Sequence, residues 1–86
     1  MQKVKQSPAT KLLIAAIQTA PDKRLQISYR DLAARLFITI RSSQKLVKRL
    51  EQAGLLKVER PDELWIPNTY SINQTYFQLL QEQNNV

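Results

Sequence analysis

Apolar residues recur at three- and four-residue spacing from Ala9 to Ala20, through Leu12, Leu13, Ala16 and Ile17, which is the period of a helix that buries one face. Pro8 falls near its start and Pro21 just beyond its end, where proline opens a helix or stops one. Leu25 to Ile27 predicts a short strand, and Ser28 then caps a second helix whose Tyr29, Leu32, Ala33 and Leu36 share a face. Asp31, three residues after Ser28, resembles a capping box with Asp in place of Glu. Phe37 and Ile38 interrupt the period. Thr39 can cap again, and a third helix is predicted to run to Ala53 with Leu46, Val47 and Leu50 inward. Gly54, the only glycine, stands where a left-handed helix end needs a residue without a side chain.

The period then changes to two. Leu56 and Val58 alternate with polar residues, Arg60-Pro61-Asp62-Glu63 supplies turn chemistry, and Leu64, Ile66, Tyr70 and Ile72 alternate again, so a two-stranded hairpin is predicted. Pro67 cannot donate to a ladder, which puts it on an edge or at a bulge. Trp65 is out of phase with Leu64 and Ile66: ideal alternation exposes it, whereas a bulge at Pro67 would turn it onto the core. A last apolar group, Tyr76, Phe77, Leu79 and Leu80, predicts a short fourth helix.

Length sets the scale, since 86 residues make one domain and not two. The expected division is a disordered tail over 1–7, a domain over 8–73, and a helix with a frayed tail over 74–86. Thirteen Lys and Arg against seven Asp and Glu give a formal charge of +6, which favours polyanionic partners. The absence of cysteine and histidine excludes disulfides, zinc fingers and thiol or Ser-His nucleophilic chemistry. Asp62 and Glu63 point apart on a turn and the remaining acids form no cluster, so no enzyme, metal site or cofactor is expected. The longest apolar run, Leu12 to Ile17, is far too short for a membrane span, and a cytoplasmic protein is the default expectation.

Helix, strand, helix, helix, hairpin, helix is an α+β order that is mostly α. Leu36-x-Ile38-Thr39 followed by Leu46-Val47-x-x-Leu50-x-x-Ala53-Gly54-Leu55-Leu56 resembles the turn, recognition helix and exit of a winged helix-turn-helix domain. PNTYSIN, Pro67 to Asn73, is similar to the closing wing strand of such domains in bacterial and phage replication initiators and some transcriptional regulators. The resemblance spans roughly Ala9 to Asn73 and implies a three-helix core, a β-hairpin wing and a C-terminal helix. Two residues depart from it. Phe37 replaces the glycine that usually begins the turn, which either widens the turn or makes Phe37 a core plug; Ser43 replaces an apolar residue, which either packs a small hydroxyl or shifts the helix phase.

The resemblance makes double-stranded DNA the expected partner, with the 40–53 helix in the major groove. Arg41, Lys45, Lys48 and Arg49 lie between Thr39 and Leu50 with no acid among them, and Arg41, Gln44, Lys45 and Lys48 fall opposite the buried face. Gln44 and Arg41 carry forks suited to adenine and guanine edges. Thr39 and Ser42 stand at the helix start, where hydroxyls and free N–H groups take phosphate. Ser28 and Arg30 are further candidates from the second helix, with Tyr29 either beside them or in the core. Lys57 and Arg60 could bring the wing to a phosphate, although Glu59, Asp62 and Glu63 oppose this. Two readings follow. One is a small transcriptional regulator or a plasmid or phage replication or transfer accessory factor, paired as a homodimer through Tyr76, Phe77, Leu79 and Leu80. The other is a protein interaction module whose basic helix meets an acidic partner or only solvent.

Overall fold

Ser7 is the first described residue. In the computed structural model, which describes residues 7–75 and Gln78, its Oγ accepts the N–H of Thr10 and caps α1, Pro8–Gln18, with Pro8 in the first turn. Thr10 is fully buried and its hydroxyl meets that of Ser7 at 3.0 Å, so the polar group brings its own partner into the core. Leu13, Ala16 and Ile17 complete the buried face.

Past Thr19 the chain makes a 3-10 turn at Pro21–Lys23 and enters β1, Arg24–Gln26. Ser28 caps α2, Tyr29–Leu36, by accepting from Asp31 N–H, the half of the expected box that fixes the helix start. Thr39 does the same for α3, Ile40–Gln52, by accepting from Ser42 N–H. The two strands that follow, β2 at Leu56–Glu59 and β3 at Thr69–Ile72, pair antiparallel with Leu56 opposite Ile72 and Glu59 opposite Thr69.

The sheet has three strands and not two, in the order β1-β3-β2, because β1 adds to the far side of β3 with Leu25 opposite Tyr70. The fold is thus α+β and mostly helical, with three α-helices and a three-stranded antiparallel sheet among the described residues. Leu13, Ile17, Leu32, Leu36, Val47, Leu50, Leu55 and Tyr70 meet between helices and sheet. Each large aliphatic side chain buried there contributes about 1.5–3 kcal/mol.

Both α2 and α3 end in the same way. At the end of α3, Gly54 takes a φ of 87° while Leu55 N–H donates to Leu50 O and Gly54 N–H to Glu51 O. At the end of α2, Ile38 N–H donates to Ala33 O and Phe37 N–H to Ala34 O, with Phe37 itself at φ 59° and ψ 41°. Phe37 neither widens the turn nor plugs the core: it occupies the glycine conformation with its ring 87% exposed. Ser43 follows the first of its two options. Its buried hydroxyl donates to Ile40 O at 2.6 Å and to Tyr29 O at 3.4 Å, joining α3 to the first turn of α2.

The segment between β2 and β3 departs from the alternating pattern. Pro61 and Pro67 remove ladder donors, and Ile66 N–H turns back to Glu63 O, so residues 60–68 form a loop. Consequently Leu64 is fully exposed and Trp65 is 79% exposed, and no bulge folds the indole onto the core. Of the segment predicted to form a fourth helix only Gln74, Thr75 and Gln78 are described; Tyr76, Phe77, Leu79 and Leu80 lie outside the described residues, as do residues 1–6 of the expected tail.

Candidate nucleic-acid interface

The outer face of α3 concentrates the chain's positive charge. With Ser43, Leu46, Val47 and Leu50 buried, the period of the helix turns Arg41, Lys45, Lys48 and Gln52 directly outward, with Gln44 on one flank and Ser42 and Arg49 on the other. All of these are exposed. The first turn contains no acid, so the partial positive charge of the helix start is not offset from within the helix.

The only acidic residue of α3 is Glu51, and it is occupied. Arg60, at the start of the 60–68 loop, places both guanidinium nitrogens 2.8 Å from the two Glu51 oxygens. These hydrogen bonds hold the Glu51 carboxyl below its ordinary pKa of 4.5 and push Arg60 further above its own. Arg24 similarly pairs with Glu59 across β3. These are the two ion pairs among the described residues, and neither uses a cation of α3. Arg41, Lys45, Lys48 and Arg49 therefore present a stripe of four positive charges uncompensated by described carboxylates.

At the start of the stripe, Thr39 Oγ1 both accepts from Ser42 N–H at 3.0 Å and donates to Ser42 Oγ at 2.9 Å. The hydroxyls are thereby fixed in place, and Ser42 Oγ keeps its own proton to give. Ser28 and Arg30 are close by, because Tyr29 between them receives the Ser43 hydroxyl through its carbonyl. Tyr29 is half-buried, with its ring edge-on to Tyr70 at 6.5 Å, and both phenol oxygens lie at the long end of hydrogen-bonding distance from Asn68 Nδ2. Burial raises the Tyr70 pKa, so the phenol stays neutral. Tyr29 is thus a support that ties α2 to the sheet beneath the basic helix.

The structure brings together Thr39, Arg41, Ser42, Gln44, Lys45, Lys48 and Arg49, with Ser28 and Arg30 beside their start. Lys57 stands apart, since alternation along β2 turns Leu56 and Val58 to the core and Lys57 to the outer face of the sheet. Arg60 lies next to α3 but is committed to Glu51. Sequence reasoning missed this pairing and the exposed aromatic at Phe37, although the missing turn glycine was a signal for the latter.

Among the described residues no helix is long and apolar enough to cross a membrane, and no group of His, Cys, Asp and Glu could hold a metal ion. Compared with known proteins, the chain matches no family model and no curated protein significantly.

Proposed function

We propose that this chain is a double-stranded DNA-binding protein of the winged helix-turn-helix class, with α3 as the major-groove helix and the β2–β3 hairpin as a short wing. The observation that carries the reading is the stripe on α3: four cations with no described ion pair, on a helix whose one carboxylate is occupied by Arg60. In this arrangement Lys45, Lys48 and Arg49 meet phosphates, while Arg41 and Gln44 reach base edges. Thr39, Ser42, Ser28 and Arg30 anchor the flanking backbone through hydroxyls, N–H groups and charge. The wing adds little affinity, because Arg60 is engaged and Asp62 and Glu63 repel phosphate. No catalysis is involved. A cytoplasmic regulator of transcription, or an accessory factor of plasmid or phage replication or transfer, fits such a module.

The test is duplex binding by fluorescence anisotropy at several salt concentrations, comparing the parent chain with the Arg41→Ala, Lys45→Ala, Lys48→Ala triple variant. Each phosphate contact contributes about 0.9 to the salt slope, so losing those of Lys45 and Lys48 reduces its magnitude by about 1.8, while losing Arg41 removes a base contact. Between about 50 and 200 mM salt, the parent then loses about 12-fold more affinity than the variant. The exposed substitutions leave the melting transition in place. A parent with no salt-dependent duplex binding, or a triple variant that binds like the parent, would falsify the DNA reading and leave a protein interaction module.

A further inference from the structure

Two surfaces of this molecule are complementary to each other and cannot meet within one chain. The first is the tip of the β2–β3 loop, where fully exposed Leu64 and 79% exposed Trp65 stand side by side. Two large adjacent apolar side chains in water are a marked exception among exposed loop residues. Asp62 and Glu63 precede them, both exposed and neither in a described ion pair, while the other charges near this loop are consumed by the Arg24–Glu59 and Arg60–Glu51 pairs. The tip is therefore an apolar plug with an acidic collar.

The second surface is a cleft of about 260 Å³ between the start of α1 and the flank of α3. Ala9, Ile38 and Leu46 supply its apolar walls, and Ser42, Lys45 and Arg49 its polar and basic rim. It is an apolar socket with a basic collar.

The tip cannot turn into its own cleft. The Arg60–Glu51 pair fastens the start of the loop to the Glu51 side of α3. Arg49 precedes Glu51 by two residues, which places it about 160° around the helix from that side. Phosphate is a poor occupant for the tip, because its two carboxylates repel it. The opposite charges and apolar centres of tip and cleft instead select another copy of the same surface pair. We propose that the protein self-associates head to tail, with Leu64 and Trp65 of one copy seated in the Ala9, Ile38 and Leu46 cleft of the next, and Asp62 and Glu63 facing Lys45 and Arg49. Such a contact joins two different surfaces, so every open assembly keeps one tip and one cleft free at its two ends and grows until it closes into a ring or runs out of protein. The contact is small and hence weak, with association rising steeply with concentration.

Sedimentation velocity in the absence of nucleic acid tests this, with the emission of Trp65, the only tryptophan, as a second readout. The full chain is expected to grow beyond a dimer from micromolar to millimolar concentration, with a blue shift of the indole as it leaves water. Trp65→Ala and Arg49→Glu are both exposed substitutions, and each weakens association at least tenfold. Their equimolar mixture gives the diagnostic result: the tip of Arg49→Glu fits the intact cleft of Trp65→Ala, so assembly resumes but stops at two chains. Adding Glu63→Arg to Arg49→Glu in one chain restores growth. A full chain that stays monomeric overturns the proposal. So does Trp65→Ala assembling like the parent, which would place the interface elsewhere, or a mixture that fails to pair.

Discussion

Replacing Phe37 by glycine should stabilise this protein, even though it deletes an aromatic ring. Phe37 adopts φ 59° and ψ 41° to close α2, and a residue with a Cβ pays about 1–2 kcal/mol for that left-handed conformation. Against this relief stands the greater freedom of glycine in the unfolded chain, about 0.4–1 kcal/mol. The ring adds little to the balance because it is 87% exposed. The net gain is about 0.5–1 kcal/mol, and a domain of this size converts each kcal/mol into about 4–8 °C of melting temperature. The rise should therefore be roughly 2–8 °C, measured by thermal melts and urea titration followed by circular dichroism. Phe37→Ala is the control: it keeps the Cβ and should gain nothing from relief of strain. Gly54 supplies the mirror experiment within the same molecule, since it ends α3 with the same pair of hydrogen bonds, and Gly54→Ala should lose about as much as Phe37→Gly gains. A Phe37→Gly variant that melts below the parent would refute the strain argument and show that the ring's contacts outweigh the backbone cost.

Two further outcomes follow from the polar contacts of α3. Ser43→Ala should destabilise by about 0.5–1.5 kcal/mol through loss of the hydrogen bonds to Ile40 and Tyr29, and Ser43→Val by about 1–3 kcal/mol through crowding, both read from urea unfolding. The exposed Glu51–Arg60 pair should show a double-mutant coupling of only about 0.2–1 kcal/mol at neutral pH. Because the hydrogen bonds from Arg60 depress the folded pKa of Glu51, that coupling is fully present above the ordinary value of 4.5 and is lost as pH falls through the depressed one; a coupling that grows on acidification would contradict the geometry.

The helices were legible in the sequence because their signals are local. Ser28 and Thr39 as caps, Gly54 as the stop and the three- and four-residue spacing of Leu46, Val47 and Leu50 act within a few residues of where they stand. The outward cations of α3 followed from the same arithmetic. Long-range facts did not follow. Nothing in Arg24–Gln26 specifies that it pairs with β3 across some 45 residues of intervening chain and not with β2. Leu64 and Ile66 mimic a strand because alternation alone cannot distinguish a ladder from a turn, and the prolines at 61 and 67 weigh more than the pattern between them. Arg60 read as a free cation because its partner lies nine residues back, on a different element. The departures at Phe37 and Ser43 were visible as departures, but only the three-dimensional fold shows that the backbone absorbs the first and a pair of carbonyls the second.

The position of β3 has a consequence for how the molecule is made. Among the described residues it is the last strand in chain order and the middle strand of the sheet, and its Tyr70 is the largest fully buried side chain. A growing chain that has reached Pro67 already holds α1, β1, α2, α3 and β2, yet neither strand has a partner and the core lacks its central ring. β1 and β2 then wait with open edges, the condition in which strands seek other chains. Folding should therefore complete in a single late event, when Thr69 to Ile72 leave the ribosome and pair on both sides at once. A nascent chain stalled before that point is the species most exposed to aggregation and proteolysis.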